Sequence, residues 1–195
     1  MTKTYYLRST GGPPVALHAG TYVSNRLAET TRGGAAGSIS QSFGGSETMA
    51  LSWFTPTDEP GVGAWPSGVY RVSVNVLATG ADITYGFGTA AGIVGHLCRV
   101  AGAGSPHVVT NNTASPATKT GTGLYQATIA SWAPGGTIAA DRFCAFLHIA
   151  RAASHGNQTL EVEVDSPTAS WVTGGVMEGP WIAGGAVTLA GVVTR

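Results

Sequence analysis

Glu161, Glu163 and Asp165 stand at every second position of the segment 158–165, with Leu160, Val162 and Val164 between them. Period-2 alternation marks a strand with one buried and one wet face. Three carboxylates therefore share one strand face. Carboxylates in pairs are general acid–base groups, and many β-sandwich glycosidases set two of them on facing strands. In such a hydrolase Glu161 or Glu163 would be the acid. The competing reading is a solvated face, or an edge strand kept from aggregating by its charge. That reading is preferred here.

Other chemistry is sparse. His18, His96, His107, His148 and His155 are scattered, without HxH or HExxH spacing. No metal is expected from them. Cys98 and Cys144 are the only cysteines, each inside a strand-like apolar pattern. They read as two small buried thiols, with a bridge between them as the alternative. No GxSxG elbow occurs. The Gly-rich segment 88–95 lacks the Lys of a phosphate loop, so turn glycines explain it better. Catalytic residues and cofactors are expected to be absent. Trp65, Trp132, Trp171 and Trp181 each lie beside Pro, Gly, Ser or Thr, in or near loops. Exposed Trp stacks on sugar rings or anchors interfaces, so these four are the candidate glycan or interface aromatics. The alternative is that each caps an end of the core.

The elements that must position these side chains are strands. In 69–77, Tyr70, Val72, Val74 and Val76 alternate with Arg71, Ser73 and Asn75. The same format, or a continuous apolar run, recurs at 4–8, 48–54, 82–88, 93–100, 124–130, 142–150, 158–165 and 186–194, and weakly at 39–43. Residues 170–173 read as a further short strand. The connection 78–81 has hairpin length. The run RFCAFLHIA at 142–150 is apolar almost throughout, which places it in a sheet centre covered on both sides. Two stretches break the pattern. Residues 15–47 read as an extended Gly-rich arm, or else as an excursion over the chain's own domain. Leu17, Tyr22, Leu27, Ile39 and Phe43 are its candidate contact residues. Residues 101–123 read as a long, partly extended loop. Eight to ten strands without an amphipathic helix give an all-β class. The expected architecture is one domain over 1–195: a two-sheet antiparallel sandwich of jelly-roll type, with its terminal strands close together.

Charged residues make up 10 % of the chain and the formal net charge is zero, against about 25 % charged in typical soluble domains. A basic stripe for nucleic acid is absent. Low charge also removes a usual protection against self-association. Residues 1–20 lack the apolar core of a signal peptide. No apolar run approaches the roughly 18 residues of a membrane span. Eight Arg against two Lys, with abundant Ala, Gly and Val, fit a GC-rich coding genome.

Three segments carry a resemblance: Thr4-Tyr5-Tyr6-Leu7-Arg8-Ser9-Thr10, Ser52-Trp53-Phe54-Thr55-Pro56, and the Gly-Val-Tyr-led strand from Gly68 to Val76. Together they resemble small β-sandwich structural proteins of tailed bacteriophages. The resemblance covers the whole chain by layout and about twenty residues by motif. It implies a non-enzymatic virion component, a minor tail protein or alternatively a capsid decoration protein. Its partners would be copies of itself, a trimer being one arrangement, and other virion proteins. It would be assembled in the host cytoplasm, in a phage of a high-GC actinobacterial host. A carbohydrate-binding module contacting host surface glycan is the further alternative. No nucleic acid and no membrane insertion are expected.

Overall fold

The computed structural model describes residues 3–11, 22–43, 49–56, 67–81, 83–86, 97–100, 108–112, 119–133, 142–151 and 157–180. Strands account for most of them: β1 Lys3–Gly11, β2 Tyr22–Glu29, β3 Gly37–Phe43, β4 Met49–Phe54, β5 Gly68–Thr79, β6 Ile83–Gly86, β7 Leu97–Val100, β8 Val108–Asn112, β9 Gly123–Trp132, β10 Arg142–Arg151, β11 Gln158–Val164 and β12 Val176–Gly179. No helix occurs among the described residues. The protein is all-β, as its alternating pattern implies.

The strands form one hydrogen-bonded path, β3-β11-β5-β12-β1-β2-β4-β10-β7-β8, with β9 added to β5 and β6 added to β10. The sheet curls so that β5 and β9 lie over β10 and β6 as a sandwich. Rings from opposite layers meet in the gap. Tyr70 of β5 lies 5.8 Å from Phe143 of β10, and Tyr85 of β6 lies 5.8 Å from Tyr125 of β9. Trp132 of β9 closes on Tyr70 edge-to-face at 4.9 Å and on Phe143 at 6.5 Å. The core follows from alternation: Tyr70, Val72, Val74 and Val76 of β5, Tyr125 and Ala127 of β9, and Leu160, Val162 and Val164 of β11 are all buried. Each such Val or Leu side chain contributes about 1.5–3 kcal/mol by leaving water. β10 is buried on both faces, as its continuous apolar run implies. Phe143, Ala145 and Leu147 face the core, while Phe146 packs edge-on against Phe54 of β4.

All pairings between these strands are antiparallel except β2 with β4, which run parallel from Tyr22↔Met49 to Leu27↔Phe54. A parallel pair needs a crossover, and β3 supplies it. After β2 the chain crosses to the far end of the opposite layer, pairs with β11 as β3, and returns as β4. The described part of the expected arm, 22–43, is therefore folded onto its own chain. Gly33 is required where this stretch passes the end of β11: a Cβ there would lie 1.6 Å from the Asp165 carbonyl oxygen.

Several expectations need correction. β5 and β6 do not form a hairpin, because both edges of β5 are taken. β9 occupies one, and β12 and β11 share the other. β6 instead joins β10 beside β7. Part of the expected loop 101–123 is strand, β8 and the start of β9. Residues 170–173 are a turn, not a strand. The partner that closes onto β1 is β12, from Lys3↔Gly179 to Tyr6↔Val176, while 186–194 lie outside the described residues. Finally, Cys144 is disulfide-bonded and no free cysteine is found among the described residues. The β10–β7 register sets Cys98, the chain's only other cysteine, directly opposite Cys144. Directly opposed antiparallel residues have Cα atoms about 4.5–5.5 Å apart, within disulfide range. The expected pair of thiols is thus replaced by a cross-strand bridge.

Candidate functional site

On β5 the residues between the core positions point away from the sandwich. Arg71 is one of them, and the register places it opposite Glu178 of β12. Its Nε donates to Glu178 Oε2 at 2.6 Å. From the far side, Thr4 of β1 donates its hydroxyl to Glu178 Oε1 at 3.2 Å. The guanidinium lies 4.5 Å from the ring centroid of Trp171, a cation–π contact. Trp171 belongs to the turn that joins β11 to β12. Gln126 of β9 holds that turn down by donating to the Trp171 carbonyl at 2.6 Å, and Ser73 of β5 donates to the Ser170 carbonyl at 3.3 Å. Hydroxyls also shape the turn from within. Thr173 donates to the Thr168 carbonyl, and the Ser170 and Thr173 hydroxyls lie 3.0 Å apart. The chain then reverses through Gly174 at φ 92° and Gly175 at φ 79°, the left-handed region that glycine favours. The product is a half-buried indole fixed by a salt-bridged arginine, beside a strongly exposed Val172 (73 %).

The carboxylate row lies on the same outer layer. Glu161 accepts a hydrogen bond from the Ser38 hydroxyl of β3. Glu163 Oε2 accepts from Asn75 Nδ2 of β5 at 2.7 Å. Asp165, at φ 57°, directly follows β11. Its Oδ1 is 3.0 Å from Arg8 Nε and its Oδ2 accepts from the Ser9 amide at 3.1 Å. Arg8 also reaches Glu29 of β2 at 3.5 Å. Each acid thus bonds to a neighbouring strand. A glycosidase sets its two carboxyls about 5–9.5 Å apart across a cleft; this row stands on one outer strand face and ties β11 to β3, β5 and β1.

The described residues also line a cleft of about 220 Å³ between Tyr5, Glu29, Thr30, Thr31 and Pro56. That is smaller than the roughly 300–1,000 Å³ of a usual ligand pocket. No group of three or more His, Cys, Asp or Glu is placed to hold a metal among the described residues. Burial raises the hydroxyls of Tyr70 and Tyr85 above their ordinary range, Tyr85 to about 12 with some addition from neighbouring Tyr125. Tyr85 donates to the Gly121 carbonyl at 2.6 Å.

The sequence candidates separate cleanly. Trp132 is 5 % exposed and part of the core, so it cannot serve as a stacking surface. Strict alternation after Tyr125, Ala127 and Ile129 would turn Trp132 outward; the register shift against β5, where Gly68 and Tyr70 oppose Trp132 and Ile129, puts one extra residue in β9 and brings the indole back to the core face. Trp171 is at the surface. Trp65 and Trp181 lie outside the described residues. Ile39 is buried in the core through β3. Tyr22 and Leu27 sit in β2 and Phe43 ends β3, while Leu17 lies outside the described residues. Sequence reasoning missed Arg71, Glu178, Thr4 and Gln126 as the setting of Trp171. Arg71 was legible as an outward residue, but its partner comes from β12, too short a strand to read.

No family model matches the chain, and no curated protein matches it. Among solved structures, the chain is similar to PliG of Aeromonas hydrophila, a periplasmic lysozyme inhibitor of g-type lysozyme. The match covers 74 % of this chain and 97 % of that one at 11 % identity, with a TM-score of 0.32. A likeness this loose carries no functional argument.

Proposed function

We propose that the chain is a non-enzymatic structural protein of a tailed-phage virion, a minor tail protein, with capsid decoration as the alternative position. The observation that carries the reading is where the polar chemistry goes. Glu29, Glu161, Glu163, Asp165 and Glu178, the described acids, all bond across strands, so these five serve as ties in the body of the sandwich. The motifs at 4–10, 52–56 and 68–76 support the same reading: they form β1, the end of β4 and β5, strands within the sheet path. Immunogold labelling of particles made from the genome that encodes this chain tests it. Gold at the tail is expected. Gold over the shell would select the decoration role, and unlabelled particles would contradict both.

A second reading is favoured by one observation, the surface indole of Trp171 held by Arg71. A fixed aromatic plane at the surface suits a sugar face, so contact with host surface glycan is compatible with a tail position. Titration of host cell-wall glycan into the wild type and Trp171→Ala decides it. Equal heats from the two proteins would remove the glycan role.

A further inference from the structure

β3 ends the sheet path, and its second edge is bonded to no other described strand. Natural edge strands are blunted by Lys, by Pro, by bulges or by shortness. β3 has none of these. Its sequence, GSISQSF, carries no charge and no proline. Its register with β11 runs from Gly37↔Val164 to Phe43↔Gln158 without a shift, whereas β11 with β5, β5 with β9 and β7 with β8 each slip.

Two contacts identify which backbone groups face outward. The hydroxyls of Ser42 and Thr159, directly opposed, approach to 3.0 Å. Side chains come that close in the non-hydrogen-bonded pairs of an antiparallel ladder, whose N–H and C=O groups point away from the partner strand. Consistently, the Ser42 carbonyl accepts from the side-chain amide of its neighbour Gln41 at 3.1 Å, a side-chain substitute for a strand. Ser38, Ser40 and Ser42 therefore turn their peptide groups to the open side, and all three are exposed.

We infer that this edge pairs with the same edge of a second copy of the chain, antiparallel, about a dyad at Ser40. The register is then Ser40 on Ser40 and Ser38 on Ser42, with Ile39 on Gln41. The three serine pairs are of the hydrogen-bonded kind and the Ile39–Gln41 pairs between them are not, giving about six new backbone bonds. Charge selects the partner. A strand bearing Lys or Glu would bring ions to a neutral hydroxyl row, whereas a second copy brings the same small hydroxyls. The nearest carboxylate, Glu161, is already engaged by Ser38. The inference deepens the assembly reading above by naming a self-contact, and its test is independent of any particle.

The purified full chain is followed by sedimentation equilibrium over a range of concentrations, beside two double variants. Ser38→Lys with Ser42→Lys sets like charges opposite each other across the dyad. Ser38→Lys with Ser42→Glu sets opposite charges there. Far-UV circular dichroism and melting confirm that both fold. The expected result is a wild-type dimer, a Lys/Lys variant weakened about tenfold or more, and a Lys/Glu variant that dimerises at least as well as wild type. A folded wild type that stays monomeric, or two variants that dimerise equally, would overturn the inference. Gold labelling of particles would then still stand or fall by itself.

Discussion

Single side chains divide into those that fill the gap between layers and those that decorate its outside. Trp132 and Trp171 mark the two kinds. Trp132 packs against Tyr70 and Phe143, so Trp132→Ala is expected to destabilise the fold by about 3–5 kcal/mol. Trp171 loses chiefly one cation–π contact at the surface, and Trp171→Ala should cost about 1 kcal/mol or less. Urea denaturation of both variants checks the contrast, and comparable losses would contradict it. Gly174 is a backbone case. A Cβ there would meet the Asn75 nitrogen at 2.8 Å, and its φ is 92°. Gly174→Ala is expected to cost about 1–3 kcal/mol, read as a fall in melting temperature. Tyr85 gives a pH dependence. Its hydroxyl is raised by burial to about 12, whereas the unfolded chain ionises near 10. The stabilisation is thus fully present below about pH 10 and is lost as pH rises toward 12, at up to about 1.4 kcal/mol per pH unit. Burial raises Tyr70 as well, which steepens the loss. Urea midpoints should fall across this window; constant midpoints would show that these hydroxyls ionise alike folded and unfolded.

At the scale of elements, the cross-strand bridge between β7 and β10 leads to a further expectation. The oxidised chain should be two hydrogens lighter by intact mass than the reduced chain. Replacing Cys144 by Ser should cost about 2–4 kcal/mol. A chain isolated without reductant that still carries two free thiols would contradict the bridge. Strands with a clean period were readable from the sequence. β5, β9, β10 and β11 fall where their apolar residues alternate or run together, and the two-sided burial of β10 follows from RFCAFLHIA. β2 was not readable, because its polar Ser24, Asn25 and Arg26 crowd the centre of the strand. β12 has four residues, and all four are buried, so it has no alternation to show. Pairing was the harder part. The short link from β5 to β6 has hairpin length, yet both edges of β5 are filled by strands distant in sequence. The setting of Trp171 was hidden for the same reason, since Arg71 and Glu178 meet only through long-range register. The acid row was legible as a row, and its role as a set of ties depended on Ser38, Asn75 and Arg8 arriving from three other strands.

For the whole molecule, a low-charge chain has curled one sheet into a sandwich whose described acids bind strand to strand. That body carries a neutral strand, β3, whose second edge is bonded to no other described strand, and a fixed indole on its outer layer. The role proposed for this body is that of a structural block in a tailed-phage particle. Its copy number decides the matter most directly. Quantitative peptide mass spectrometry on purified particles, scaled to the major capsid protein, should find the chain at a fixed ratio of a few copies per particle, as a minor tail protein requires. A ratio close to that of the capsid protein would move it to the shell as a decoration subunit. Its absence from the particles would contradict the virion assignment altogether.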